Sequence, residues 1–170
     1  MKYLLLTVLL ITTYAAVAQP PHMELEPYGF DAVSIAVPAT PNEKLIDLSE
    51  SWAAQYRRRK QGIDVTNVTE TSMVITAFKK NAFYYSNKGE TFYHKIRYEM
   101  MVEFAQSTYT VTFKVLDIYL DDDVLLEYKV PDYFTSEGVL KDGYNTLETS
   151  LEDTVNDIVN SHYNFIINYR

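Results

Sequence analysis

The stretch from Phe92 to Val115 constrains the fold of this chain most strongly. Between Phe92 and Phe104, and again from Tyr109 to Val115, apolar side chains recur on every second residue. Successive side chains of a strand point to opposite faces, so this alternation is typical of half-buried strands. The break at Gln106-Ser107 is short enough for a hairpin connection. The sequence therefore predicts a long antiparallel hairpin with one apolar face that other segments must cover.

Two amphipathic helices are predicted to supply that cover. The first begins near Pro41, contains Trp52 and ends in the basic residues 57–60. The second extends from Thr146 to Tyr169, with an apolar side chain at every third or fourth residue. A strand over Val33–Val37 precedes the first helix. We expect an α+β fold, with an antiparallel sheet of five to six strands and both helices on one sheet face, in a helix-grip-like order of strand, helix, strands and helix.

The segments between these elements are less regular. A short strand is predicted over residues 63–69 and a longer one over 72–85, followed by a turn at 86–89. Residues 124–130 are predicted to form a brief return strand, and residues 132–145 a surface loop. For the strand that begins at residue 72, two sets of inward-facing side chains stay open: Met73, Ile75 and Ala77, or Val74, Thr76 and Phe78.

The N-terminal residues have the composition of an export signal. Lys2 precedes an apolar run centred on residues 4–11, and Ala16-Val17-Ala18 is a small-x-small cleavage site. We therefore expect residues 1–18 to be a signal peptide, residues 19–29 a flexible leader, and residues 30–170 one α+β domain. The chain has no cysteine. This predicts an exported protein, periplasmic or extracellular, that has no lipid anchor, no disulfides and no membrane span after signal removal.

Charge and motif content exclude several functions. The formal net charge is −8 at pH 7, and such an acidic surface repels nucleic-acid backbones. The histidines show no zinc-ligand spacing, and Asp121–Asp123 lacks the spaced acids of a calcium loop. There is no nucleophile elbow or glycine-rich phosphate loop. We predict no cofactor, no metal, no nucleic-acid partner and no catalytic activity.

The strand Val33–Val37, the helix start Lys44–Asp47, the Trp52-Ala53 pair and the strands Ile96–Tyr98 and Val115–Tyr119 together resemble a family of secreted bacterial domains. That family is of unknown function and is described as having a TATA-binding-protein-like fold. The resemblance extends over residues 31–170. It implies that fold, but it assigns no catalytic or binding residue to this chain and does not imply DNA binding.

Two functional hypotheses follow. The first is a non-catalytic envelope module that binds an envelope protein or a small molecule. Its candidate contact surface lies on the polar side of the hairpin and near the turn, at Tyr84, Tyr85, Tyr93, Lys95, Arg97, Glu99 and Tyr119. The second is a carrier of a lipid or hydrophobic small molecule, or a hydrolase, with a cavity between the sheet and the C-terminal helix. Filling of that space by large side chains, among them Phe104 and Phe165, is the alternative to such a cavity.

Overall fold

The structure is a computed structural model that describes residues 19–59, 62–120 and 122–169, with the backbone alone for residues 56–59. The predicted signal peptide, residues 1–18, lies outside this range. So do the side chains of the predicted basic helix end, residues 57–60, and Asp121 of the acidic turn.

Five strands form one antiparallel sheet in the order β3-β7-β6-β5-β4. Their bounds are β3 Val33–Ala36, β4 Asp64–Thr66, β5 Ser72–Asn87, β6 Glu90–Phe104 and β7 Thr108–Leu120. The predicted hairpin is confirmed as β6 and β7, which pair from His94↔Leu120 to Phe104↔Tyr109. The α+β fold class and the antiparallel sheet are likewise confirmed.

The inner face of the sheet forms the floor of the core. Ile96, Tyr98 and Met100 of β6 are fully buried, as alternation predicts. On β5 the open question of register is settled, because the buried set is Met73, Ile75 and Ala77, each 0% exposed.

Two helices cover this inner face. They are α1, Asn42–Arg59, and α2, Leu147–Tyr169. Leu45 and Trp52 of α1 and Leu151 and Val155 of α2 are buried against the sheet and against each other. In each helix the buried side chains lie on one face, as predicted for an amphipathic helix.

Two irregularities interrupt the long strands. In β5 the pairing jumps between Lys79 and Phe83, while only Lys95 separates their partners on β6, so two extra residues bulge out. Asn81 lies in this bulge with a φ of 49°. In β7 the register shifts by one residue opposite Arg97 and Tyr98. Bulges of this kind bend a strand and redirect its side chains.

The prediction of a flexible leader at residues 19–29 is corrected. Leu25–Glu26 (β1) and Gly29–Phe30 (β2) form a two-stranded sheet, and Met23 is only 1% exposed. The side chain of Asn156 on α2 accepts from Met23 N and donates to Met23 O, both at 2.9 Å. The leader was misjudged because its partners, which lie on α2, are more than 120 residues away in sequence.

The segment between β7 and α2 also differs from expectation. Residues 124–130 make one isolated bridge, Tyr119↔Leu125, in place of a strand. A single 3-10 turn follows at Val130–Tyr133. The predicted surface loop then buries Tyr133 and Phe134 in the core. Loop sequences without a period can still contribute individual anchors, which periodicity does not detect.

We expect Gly62→Ala to destabilise the protein by about 1–3 kcal/mol. Gly62 has a φ of +88°, and a Cβ there would lie 2.9 Å from Cδ2 of Phe78. Gly89→Ala is the matched control, since its φ is +84° and nothing lies within 4 Å of the added Cβ. Urea unfolding of both variants measures the difference, which isolates the contact with the Phe78 ring. Equal losses of unfolding free energy in the two variants would show that the contact with Phe78 does not contribute.

Candidate functional site

The face of the sheet opposite the helices carries most of the predicted contact surface. Cross-strand pairing places Tyr84 beside Tyr93, and Lys95 beside Tyr119. We call this side the open face and define it by the following side chains: Phe78, Tyr84, Tyr93, Lys95, Arg97, Glu99, Asp117 and Tyr119. Six of the seven predicted contact residues therefore share one surface.

Tyr85 is the exception and is corrected. It follows Tyr84 directly in β5, so it points to the opposite side of the sheet. There it lies half-buried, with its ring centroid 5.1 Å from that of His94 and 4.7 Å from that of Tyr144. Tyr85 is thus part of the packing on the covered side and not part of the open face.

The charged residues of the open face are largely engaged within the protein. Arg97 Nη1 lies 3.3 Å from Asp117 Oδ2, and Lys129 Nζ lies 2.9 Å from Asp117 Oδ1. Lys95 forms an ion pair with Asp123, and this pair lowers the pKa of the exposed Asp123 carboxyl. Such pairs leave little net charge on the open face.

Lys95 is also held by aromatic rings. Its Nζ lies 4.9 Å from the ring centroid of Phe78 and 4.8 Å from that of Tyr119. Both distances are within the range of cation–π attraction, which favours a cation over the face of a ring. Lys95 and Arg97, in the middle of the open face, therefore already have partners within the protein.

Exposed aromatic side chains gather near the turn that joins β5 to β6. Tyr84 is 39% and Tyr93 47% exposed, and their ring centroids are 5.6 Å apart on the open face. Phe92, on the covered side of the same strand end, is 38% exposed. Large aromatic residues contribute much contact energy at interfaces. The Tyr84–Tyr93 pair is therefore the part of the open face best suited to bind a partner.

Sequence reasoning missed an aromatic cluster behind this end of the hairpin. Its members are Phe83, Tyr85, Phe92, His94, Tyr128, Tyr133 and Tyr144. Phe83 and His94 stack with ring centroids 4.7 Å apart, and Tyr133 meets Tyr144 at 5.0 Å. Burial raises the pKa of the Tyr133 hydroxyl. The high tyrosine content indicated a sheet, but it did not reveal that rings from the loop would join those of β5 and β6.

Two of the three histidines, His94 and His162, occupy separate places in the core. His94 belongs to the aromatic cluster, where its ring stacks on those of Phe83 and Tyr85. His162 Nε2 lies 2.9 Å from Ser49 Oγ, and both side chains are 0% exposed. A serine–histidine pair without access to solvent cannot reach a substrate, so its geometry fits a structural role.

Side chains fill the space between the sheet and α2, where the second hypothesis expected a cavity. Tyr98 stacks on Phe113 with centroids 4.8 Å apart, and both residues are at most 1% exposed. Phe104 is 4% exposed, and Phe165 is half-buried. A bound lipid would require these side chains to separate. Filling of this space, the alternative stated above, is what the described residues show.

Within residues 19–59, 62–120 and 122–169, no group of three or more histidine, aspartate and glutamate side chains is placed to hold a metal ion. The helices in this part of the chain are too short or too polar to cross a membrane.

No family model matches this sequence, and no curated protein sequence matches it. Two solved structures are similar in fold. A DUF4468 family protein from Bacteroides ovatus has a TM-score of 0.57 and 10% identity, covering 84% of this chain and 86% of that one. A TBP-like protein from Parabacteroides distasonis has a TM-score of 0.55 and 12% identity, covering 82% of this chain and 93% of that one.

At these identities the similarity concerns the fold. It agrees with the resemblance noted from the sequence, and of the two arrangements expected there it supports the TATA-binding-protein-like one. The chain therefore has an α+β, TBP-like fold with an antiparallel sheet of five strands.

Proposed function

We propose that this chain is an exported, non-catalytic binding module that contacts its partner through the open face of its sheet. The observation that carries the proposal is the exposed Tyr84–Tyr93 pair, with ring centroids 5.6 Å apart on the open face. Export rests on the predicted signal peptide at residues 1–18.

The internal ion pairs of the open face support a division of roles within it. Lys95 and Arg97 pair with Asp123 and Asp117, so they maintain the shape of the surface. Tyr84 and Tyr93 point away from the covered core and are available to a partner. Aromatic side chains with few rotatable bonds lose little conformational entropy on binding.

The expected partner is a component of the cell envelope. A chemical-shift titration of the 15N-labelled protein with separate envelope components tests this: anionic lipid vesicles, neutral oligosaccharides, peptidoglycan fragments and soluble envelope proteins. We expect at least one component to shift the amides of Tyr84, Tyr93 and neighbouring residues of β5 and β6. The variant Tyr93→Ala should weaken that binding by about tenfold, as removal of an aromatic hot spot does.

Tyr28→Ala is the control, because Tyr28 is 68% exposed but lies outside the open face. Shifts confined to the helical side of the protein, or no shifts with any component, would overturn the proposal.

A further inference from the structure

A groove lies beside Tyr84, between the outer edge of β5 and the first turns of α2. It has a volume of about 390 Å³, and we call it the Asn81 groove. Its wall on the strand side is formed by Asn81 and Tyr84, and its wall on the helix side by Asn145, Thr149 and Asp153. This volume is in the range of pockets that hold small ligands.

The two walls are joined by hydrogen bonds. Ser150 Oγ accepts from Tyr84 N at 3.1 Å, and Thr146 Oγ1 donates to Tyr84 O at 3.1 Å. These two hydroxyls supply the bonds that a neighbouring strand would otherwise make to this part of β5. The groove is therefore held in place before any ligand arrives, which lowers the entropic cost of binding.

The bulge in β5 presents the amide of Asn81 to this groove. Asn81 has a φ of 49°, in the left-handed region that non-glycine residues seldom occupy. The two inserted residues interrupt the regular pairing of β5 with β6 and place Asn81 at the edge of the strand. The side chains of Asn81, Asn145, Thr149 and Asp153 make no hydrogen bond among the described contacts, so their donors and acceptors can serve a ligand.

The chemistry of the lining selects the class of ligand. Amide and hydroxyl groups both donate and accept hydrogen bonds, and they predominate in the groove. The carboxylate of Asp153 and the net charge of −8 disfavour an anion. The ring of Tyr84, 39% exposed, adds an apolar surface. A sugar combines hydroxyl groups with an apolar ring face, and it matches this set of groups.

We propose that the Asn81 groove binds a neutral oligosaccharide, with the sugar ring against Tyr84 and its hydroxyl groups hydrogen-bonded to Asn81, Thr149 and Asp153. This deepens the proposed function and rests on it, because Tyr84 belongs to both the open face and the groove.

Titration of the 15N-labelled protein with three probes tests the inference: hexaoses of α-1,4-linked glucose, β-1,4-linked glucose and β-1,4-linked N-acetylglucosamine. We expect saturable shifts at Asn81, Tyr84 and Thr149 with at least one of them, with affinity in the high-micromolar to millimolar range. A response to the N-acetylglucosamine probe alone would identify a cell-wall type of glycan, and a response to a glucose probe a glucan.

Asn81→Gly removes the amide but retains a residue that readily takes positive φ, so its fold should persist. Asp153→Asn preserves shape. We expect each to weaken binding by roughly tenfold or more, while Tyr28→Ala leaves it unchanged; circular dichroism confirms folding. Silence of all three probes, or saturable shifts that Asn81→Gly and Asp153→Asn leave intact, would overturn the inference. If the probes are silent while another envelope component shifts the open face, the inference fails and the proposed function stands.

Discussion

Lowering the pH from about 7.5 to about 5 is expected to cost this protein about 2 kcal/mol of unfolding free energy through His162 alone. The imidazole is fully buried, and its burial lowers the pKa to about 3. In the unfolded chain the pKa is about 6.5. The stabilising contribution of neutral His162 is thus complete above about pH 6.5 and is lost as the pH falls towards 3, because only the unfolded state binds the proton in that interval.

The contacts of His162 explain why protonation is so unfavourable. Ser49 Oγ donates its hydrogen to Leu45 O at 2.8 Å, so His162 Nε2 must donate to Ser49 Oγ. His162 Nδ1 then holds the free lone pair and has no hydrogen-bond partner. The rings of Trp52 and Tyr109 pack edge-to-face with the imidazole of His162, with centroid distances of 5.2 and 5.3 Å. Neither ring supplies a compensating negative charge.

Urea unfolding at the two pH values, followed by circular dichroism, measures this loss. His162→Gln retains a donor towards Ser49 and does not titrate, so its stability should fall by about 2 kcal/mol less over the same interval. Burial also lowers the pKa of His94, so some acid sensitivity should remain in the variant. Identical losses in the two proteins would refute the role of His162.

Asn156→Asp is expected to destabilise the protein by about 2–4 kcal/mol at neutral pH. Asn156 is 8% exposed, and its Nδ2 donates to Met23 O and Glu152 O, both at 2.9 Å. A carboxylate has no hydrogen to donate and would place a buried negative charge against these two carbonyl oxygens. The bond from Met23 N to Oδ1 would be retained but would not compensate for this repulsion.

Loss of this contact should release the N-terminal segment before the rest of the fold. Leu25 N donates to Glu152 Oε1 at 2.7 Å, which is its second attachment to α2. Hydrogen exchange should therefore become faster at Met23 and Leu25 in Asn156→Asp. Asn164→Asp, an exposed change on the same helix, should alter neither stability nor exchange. Unchanged protection of Met23 and Leu25 in the Asn156 variant would show that the segment is held by other contacts.

The architecture was predictable because it depends on periodic patterns. Alternation from Phe92 to Val115 predicts the β6–β7 hairpin, since a buried sheet face requires an apolar side chain at every second position. The stripe of α2 predicts its length to within a residue at its start. The Asn81 groove was not predictable, because it depends on a bulge at Asn81 that no feature of the local sequence indicates.

What the sequence determined by itself was the β6–β7 hairpin, the two helices, the faces that these elements bury and the acidic charge of the chain, because these depend on residue type and spacing along the chain. Only the tertiary structure decided that Met23 docks on Asn156, that the ring of Tyr85 packs against that of Tyr144, and that Ser49 meets His162 across 113 residues. Each of these contacts joins residues whose neighbours in sequence contain no sign of the distant partner, since hydrogen bonds and ring contacts depend on where folding places the side chains.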